Sequence, residues 1–451
     1  MFKKNSKTLP GFSYTFLACM ILGIILYVYF FQGGSENILI MIAILLGLYM
    51  AMNLGANDVA NNMGPAVGSK ALTLGSAIII AGIFEAGGAI LAGGDVVQTI
   101  KGGIVDTRYI EDPQKIIYIM MATLLGASVW INIATFLRAP VSATHSIIGG
   151  MVGAALASGG AGSILWSKIL EIVSSWIISP ILGGIIAIFF LHSIEYHIMK
   201  KDDRSEAAKI WVPIYVGIMS GVFTSYILLK GLKQIIFIPP SIALLGGCIL
   251  GALVCVSIGW YLERHSSLLK NSKSFINSLF NIPLICGVAL LSFAHGANDV
   301  ANAIGPVAAI YDLSQNNSLN IGSVGIPLWI LCIGGIGIAT GLMIFGKKLI
   351  QTVGSEITKL NQIRAFSVAL SAAITVLVAS QLGLPVSSTH IAIGGIFGIG
   401  LYRQYLKHKK GKQKDYVDIS ILKHIILAWI ITLPVSGGIG AGIYFVLQYN
   451  F

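Results

Sequence analysis

The feature that most constrains the fold is a series of thirteen apolar runs, most of them close to the length of a membrane-spanning helix. About 20 apolar residues in a helix cross the roughly 30 Å hydrocarbon core of a bilayer. Only 10% of the residues are charged, against about 25% in soluble domains. Because a span must satisfy its own backbone hydrogen bonds in lipid, these runs are expected to be helices. The sequence predicts an all-α polytopic membrane protein with about 12–13 transmembrane spans. The runs lie at residues 12–31, 37–54, 72–91, 115–137, 141–157, 166–192, 211–229, 238–262, 278–294, 322–345, 365–384, 387–402 and 421–449.

The basic residues are distributed unevenly between the two sides that these runs define. If the N-terminus is cytoplasmic, 23 of the 29 Lys and Arg residues fall inside and six fall outside. Such a bias sets orientation during insertion, so the net charge of +11 is explained by topology and not by nucleic-acid binding. We expect a plasma-membrane protein with its N-terminus in the cytoplasm and its C-terminus outside. Run 12–31 is long for a signal peptide and lacks a good cleavage site, so we expect a retained helix.

Two motifs each occur twice, in the same order. Residues 55–65 read GANDVANNMGP and residues 296–306 read GANDVANAIGP, with nine of eleven positions identical. Residues 140–145 read PVSATH and residues 385–390 read PVSSTH. The chain is therefore a duplicated unit: a first repeat at 37–192 and a second at 278–451. Residues 193–277 supply connecting loops and two linking helices, and residues 1–36 an extra N-terminal helix.

The two repeats are expected to have opposite orientations in the membrane. On the predicted topology, the first signature follows a run directed inward and the second follows a run directed outward. The segment after the first Thr-His element is uncharged, whereas its counterpart carries six basic residues. Inverted repeats with interrupted or re-entrant helices are typical of secondary transporters, which expose one midplane site alternately to each side.

Three of the eighteen acidic residues, Asp58, Glu85 and Asp299, are expected to lie at membrane depth. A charge there is costly without a partner, and neither signature contains Lys or Arg. A bound cation is the simplest source of compensating charge. Each signature offers a carboxylate, two carboxamides and the carbonyl groups of a helix that Gly and Pro are expected to break. These are oxygen ligands suited to Na⁺. The carboxamides belong to Asn57, Asn61, Asn298 and Asn302.

The Pro-Val-Ser-x-Thr-His elements place hydroxyl groups at probable helix starts. Ser142 and Ser387 are suited to cap the helices that follow, and free backbone N–H groups at a helix start attract phosphate-like anions. A dianion beside two aspartates would be repelled strongly unless a cation were bound, so the residue inventory predicts ion-coupled symport of an oxyanion.

These duplicated elements resemble the inorganic phosphate transporter (PiT) family over nearly the whole chain from Asn37. The resemblance implies a usually dimeric phosphate transporter driven by Na⁺ or H⁺, with Na⁺ the expected coupling ion here. It implies cation ligands at Asp58, Asp299, Asn61 and Asn302. It implies substrate-binding residues at Ser142, Thr144, Ser387, Ser388, Thr389, Asn57 and Asn298. Asn62 stands where the family usually has Ala.

Further candidates are less specific. His145 and His390 either contact the anion or pack, and Glu85 either binds a cation or stabilises packing. Gln98 and Gln351 form a possible third symmetric pair. Some members of the family carry sulfate, which leaves sulfate or another oxyanion as an alternative cargo. An anion channel and a membrane-embedded hydrolase are remoter alternatives. Duplicated candidates do not suit an asymmetric catalytic site, so no enzyme activity and no cofactor besides the coupling ion are expected.

Overall fold

The computed structural model describes residues 21–23, 25–26, 38–110, 112–137, 141–233, 236–316, 325–356, 360–408 and 419–450, which are nearly all helical. Ten helical segments in this part of the chain are long and apolar enough to cross a membrane. The predicted all-α polytopic class is therefore confirmed. These segments are Ile38–Gly68, Leu74–Ala92, Pro113–Phe136, Trp166–Met199, Arg204–Gly231, Pro240–Arg264, Lys273–Gln315, Leu328–Lys347, Gln362–Gln381 and Ile426–Asn450.

We number the α-helices in chain order. They are α1 Ile38–Asn57, α2 Val59–Gly68, α3 Leu74–Ala92, α4 Gly94–Gly102, α5 Pro113–Phe136, α6 Ala143–Gly159, α7 Trp166–Ile194, α8 Arg204–Tyr226, α9 Pro240–Arg264, α10 Lys273–Leu279, α11 Asn281–Asn316, α12 Leu328–Glu356, α13 Gln362–Gln381, α14 Ser388–His408 and α15 Ile419–Asn450. Single π-helical turns, Glu195–Met199 and Ile227–Gly231, extend α7 and α8.

Two of the thirteen predicted runs are not among these ten segments, and a third is not tested. Run 12–31 lies largely outside the described residues. Runs 141–157 and 387–402 form helices α6 and α14, but neither is among the ten segments, and α6 has only 17 residues. Both begin in the protein interior, where Ser142 and Ser387 are buried. A helix can start at depth only if its first N–H groups find acceptors, and these two serines cap them.

Helices α5 and α6 form a hairpin, and Val141 and Ser142, which lead into α6 at its tip, are buried. The segments at its open end are adjacent, because Asp106 N donates to Ser163 O at 2.9 Å and Val105 pairs with Ile164. Helices α13 and α14 form the equivalent hairpin of the second repeat, and Asn361 and Lys407 at its open end line one cavity. The two ends of each hairpin therefore lie close together.

The two repeats interlock. Helix α6 of the first repeat packs on α15, and α14 of the second packs on α7. Helix α1 packs on α12 in the same way, and α11 packs on α3. The signature glycines allow the last two contacts. A Cβ at Gly55 would meet the backbone of Ile338, and a Cβ at Gly296 would meet the backbone of Glu85. Each signature is thus packed against a helix of the other repeat.

The helix is interrupted at only one of the two signatures. Asp58 separates α1 from α2, whereas the second signature lies inside the continuous helix α11, so the prediction of a second break was wrong. Pro306 stays within α11, since a proline removes only one backbone hydrogen bond and tightly packed neighbouring helices tolerate it. In both copies the carbonyl four residues before the proline, that of Asn61 or Asn302, loses its usual N–H partner.

Candidate functional site

Three buried carboxylates and one histidine meet where α1, α3 and α11 come together. Asp58, Glu85 and Asp299 are 2%, 0% and 1% exposed, and His295 is 0% exposed. His295 Nδ1 lies 2.5 Å from Glu85 Oε2, and its Nε2 lies 2.8 Å from Asp299 Oδ2. Ligand atoms of Asp58, His295 and Asp299 all lie within 4.8 Å of one another. We call these four residues the acidic cluster.

His295 corrects the expectation that the carboxylates have no basic neighbour within the chain. It precedes Asp299 by four residues, so both side chains project from one face of α11. That i,i+4 spacing is the signal in the sequence that could have predicted the contact. A protonated His295 supplies one positive charge against three carboxylates. With all three carboxylates ionised, two negative charges would remain, and the cluster in that state favours added cations.

The signature asparagines direct their amide nitrogens into the protein. Asn61 Nδ2 donates to Thr389 Oγ1 at 2.8 Å, and Asn302 Nδ2 donates to Thr144 Oγ1 at 3.2 Å. Among the described residues of the two signatures, four buried side-chain oxygens have no hydrogen-bond partner: Asn57 Oδ1, Asn62 Oδ1, Asp299 Oδ1 and Asn302 Oδ1. Hard cations take oxygen atoms with free lone pairs as ligands. This donor set therefore suits Na⁺ and offers little to an anion.

The hairpin tips contact the signatures of the opposite repeat. Thr389 Oγ1 donates to Asp58 Oδ1 at 3.3 Å while it accepts from Asn61. Thr144 accepts from Asn302 and donates to the Val386 carbonyl at 3.0 Å, which joins the two tips directly. The hydrogen bonds that Asn61 and Asn302 donate are equivalent contacts, one from each copy of the signature. Both repeats thus contribute to one shared site.

Serines and histidines complete the tips. Ser142 Oγ accepts from His145 N at 3.2 Å, and Ser387 Oγ accepts from His390 N at 3.3 Å, so both serines cap helices as expected. Ser388 Oγ lies 3.4 Å from Asp299 Oδ2. The rings of His145 and His390 are in edge contact, with centroids 4.5 Å apart. The histidines also pack on tryptophans: His145 contacts Trp176, and His390 stacks on Trp429.

Two signature asparagines hold structure around the site. Asn298 Nδ2 donates to Ser380 Oγ and to the Leu384 carbonyl, each at 3.0 Å, and its Oδ1 accepts from Val386 N at 3.2 Å. Asn298 therefore shapes the loop that leads into α14. Asn57 Nδ2 donates to Thr135 Oγ1 at 2.6 Å near the end of α5.

Asn62, which stands where the second signature has Ala303, contacts the acidic cluster. Its Nδ2 donates to Glu85 Oε1 at 3.2 Å. Glu85 thereby receives one polar partner from each signature segment, Asn62 from the first and His295 beside the second. This arrangement explains how a fully buried glutamate without a counterpart in the second repeat is accommodated.

The symmetric pairing of Gln98 with Gln351 stays a prediction, because the structure describes the surroundings of Gln98 only. Gln98 lines a cavity of about 350 Å³ with Asp95, Lys230 and Lys233. None of these four residues belongs to either signature. Burial disfavours ionisation of Asp95, but hydrogen bonds from the two lysines outweigh it and lower the pKa of that carboxyl below its ordinary value. The side chain of Gln351 lies outside the described residues.

A second buried charge was not anticipated from the sequence. Lys101 on α4 and Asp312 on α11 are 1% and 3% exposed, and Lys101 Nζ lies 2.8 Å from Asp312 Oδ2. Asp312 therefore adds a buried acidic residue to the three that were expected at membrane depth. This ion pair joins α4 of the first repeat to α11 of the second, downstream of the signature.

Comparison with known proteins identifies the family of the chain. The sequence model described as "Phosphate transporter family" matches residues 54–440, which include both signatures and both Thr-His elements. The chain belongs to this family. A Helicobacter pylori protein named "Putative phosphate permease" is 43% identical, over 93% of this chain and 92% of that protein. The Arabidopsis thaliana "Inorganic phosphate transporter 2-1, chloroplastic" is 33% identical, over 87% of this chain and 69% of its own length.

A solved structure supports the same family assignment. The chain described as "The sodium-dependent phosphate transporter" matches with a TM-score of 0.84 at 36% identity. The match covers 92% of this chain and all of that one. The family resemblance expected from the duplicated motifs is thus confirmed.

Proposed function

We propose that this chain imports inorganic phosphate by symport with Na⁺ through alternating access. The acidic cluster carries the proposal: three buried carboxylates, one histidine and unpaired amide oxygens lie where the two repeats meet. A phosphate dianion about 4 Å from one carboxylate would be repelled by several kcal/mol even at an effective dielectric constant of about 20. Cations bound among the carboxylates would remove that repulsion, so phosphate would bind after them or with them.

Phosphate would bind at the hairpin tips. The starts of α6 and α14 offer backbone N–H groups, and Ser142, Thr144, Ser387, Ser388 and Thr389 offer hydroxyls. Thr389 and Ser388 also touch the aspartates, so one small movement of a tip would affect both the cation and the anion. This shared contact provides a physical basis for coupling.

The inverted orientation of the repeats belongs to the same proposal. The hairpin tips meet at Thr144 and Val386, whereas their open ends involve different loops, near Val105 and near Asn361. Together with the charge bias, this arrangement favours open ends on opposite sides of the membrane. A reporter that is active only outside the cytoplasm, fused after Phe451, would be active if the predicted orientation is right. Activity only of a cytoplasmic reporter would overturn that orientation.

Labelled phosphate uptake by proteoliposomes tests the function. With the purified chain, an inward Na⁺ gradient should drive phosphate above its outside concentration, and collapsing the gradient with a Na⁺ ionophore should abolish the accumulation. Unlabelled phosphate should compete strongly, whereas sulfate should compete weakly. Uptake that never exceeds equilibrium would indicate a channel, and preferential competition by sulfate would change the assigned cargo.

Proton coupling is the second candidate, because His295 lies between Glu85 and Asp299. A proton shared in this group could replace one Na⁺. A pH gradient applied without Na⁺ distinguishes the two candidates. Accumulation driven by the pH gradient alone would favour H⁺, and accumulation that requires Na⁺ at every pH would favour Na⁺.

A further inference from the structure

A strongly basic cavity lies outside the acidic cluster. It has a volume of about 470 Å³, which is within the usual range for small-molecule sites. Its charged lining is Lys200, Lys273, Arg364, Arg403, Lys407 and Glu195. These side chains come from the extension of α7, the start of α10, the start of α13 and the end of α14. Five basic residues against one acidic residue make the cavity suited to an anion.

Three of these basic residues lack the compensation that other buried or clustered lysines have. Among the described residues, Lys200, Lys273 and Lys407 form no ion pair with a carboxylate, although Lys407 is half-buried. Elsewhere in the described chain, five lysines form ion pairs with acidic residues. The matched sets are Lys101 with Asp312, Lys168 with Glu171, Lys209 with Glu206 and Glu263, and Lys230 and Lys233 with Asp95.

The positive-inside bias explains basic residues in cytoplasmic loops, but it does not require them to converge. Here four separate elements bring basic groups to the walls of one cavity, which concentrates like charge. An anion in the cavity would relieve that repulsion. Lys and Arg bind phosphate groups through charge-assisted hydrogen bonds, and basic pockets at the ends of membrane helices accommodate lipid headgroups.

We propose that this cavity is a second anion site that binds phosphate-bearing polyanions, separate from the transport site. Its volume and its five cationic groups suit a ligand with more negative charge than a single orthophosphate. A condensed free phosphate and the headgroup of an anionic phospholipid present the same chemistry. The site contains no residue of the signatures or of the Thr-His elements.

A triple variant, Lys200→Gln, Lys273→Gln and Lys407→Gln, tests the proposal. The matched control, Lys201→Gln, Lys270→Gln and Lys115→Gln, removes the same charge from residues that do not line the cavity. A third variant that replaces the three cavity lysines with arginine keeps the charge. All three should remain monodisperse and take up phosphate, because none of the substituted residues belongs to the transport site.

Free polyanions are tested with inorganic tripolyphosphate and the full-length protein in detergent, by calorimetric titration in metal-free buffer. Lipids are tested by thermal unfolding in nanodiscs of phosphatidylcholine with and without phosphatidylglycerol. We expect that at least one of these ligands binds or stabilises the wild type, the control and the arginine variant. The glutamine triple variant should bind that ligand at least tenfold more weakly, or should no longer be stabilised by it.

The calorimetric titration and the nanodisc unfolding measurement together identify the source of the ligand. Loss of tripolyphosphate binding in the glutamine variant would assign a free polyanion, and loss of stabilisation by phosphatidylglycerol would assign a lipid headgroup. If neither ligand distinguishes the glutamine variant from the matched control, the proposal is wrong. Uptake of phosphate by the same variants is a separate measurement, so failure here leaves the transport function untouched.

Discussion

Replacement of Asp58 by asparagine isolates the charge of the acidic cluster. The side chain keeps its shape, and Asn Oδ1 can still accept the hydrogen bond that Thr389 donates at 3.3 Å. Only the carboxylate charge is lost. The expected loss of cation affinity can be worked out from the geometry of the cluster. A cation held among Asp58, His295 and Asp299, whose ligand atoms lie within 4.8 Å of one another, would be about 4 Å or less from the Asp58 carboxylate.

A unit charge about 4 Å away contributes about 4 kcal/mol at an effective dielectric constant of about 20. That energy corresponds to a loss of at most about a thousandfold in Na⁺ affinity, because each 1.4 kcal/mol changes a dissociation constant about tenfold. Rearrangement of the remaining carboxylates and His295 would reduce the effect. We therefore expect Asp58→Asn to raise the half-saturating Na⁺ concentration for phosphate uptake at least tenfold.

The assay is initial phosphate uptake by proteoliposomes across a range of Na⁺ concentrations, with the ionic strength held constant by choline chloride. Stabilisation by Na⁺ of the detergent-solubilised variant against heat provides a second measurement that does not depend on transport. Asp202→Asn, which removes an exposed carboxylate from a loop, is the control. A half-saturating Na⁺ concentration within twofold of the wild type would refute the cation site at Asp58.

Three other substitutions test separate contacts. His295→Gln removes the basic partner of two buried carboxylates and should lower the free energy of unfolding by about 3–5 kcal/mol in the absence of Na⁺. Added Na⁺ should recover part of that loss. An unchanged melting temperature would contradict this prediction. Thr144→Val removes the hydroxyl that joins the hairpin tips and should raise the KM for phosphate about tenfold; Thr123→Val, which loses only a bond to its own helix, is the control. Lys101→Met should cost about 3–5 kcal/mol by leaving buried Asp312 without its lysine, and adding Asp312→Leu should restore most of it, as followed by thermal unfolding.

The helical class of the fold could be predicted because a bilayer leaves few alternatives for runs of about 20 apolar residues. Hydropathy could not identify the hairpins. Runs 141–157 and 387–402 are apolar, but whether such a helix crosses the membrane depends on where it begins. That depends on the burial of Ser142 and Ser387, which is set by contacts with the other repeat.

The signature residues could be predicted because duplication marks them. His295, Asn62 and Lys101 have no such mark. Leu54 and Ala303 stand at the positions that match His295 and Asn62 in the other repeat, and Lys101 belongs to neither duplicated motif. Their roles depend on contacts across helices, such as Lys101 with Asp312 and His295 with Glu85. A sequence inspected for repeated motifs therefore finds the shared site and misses the residues that make its two halves unequal.

That inequality bears on how the site would open. Asn61 bonds Thr389 and Asn302 bonds Thr144, so each signature holds the hairpin tip of the other repeat by the same hydrogen bond. Moving one hairpin breaks one of these bonds and leaves its counterpart intact, which allows two related states. The His295–Glu85 contact links α3 to α11 and has no counterpart in the second repeat, where Cys332 aligns with Glu85 through the adjacent glycine pairs. In the proposed transport cycle the two states would therefore differ in free energy, and cations bound near Asp58 and Asp299 would favour one of them.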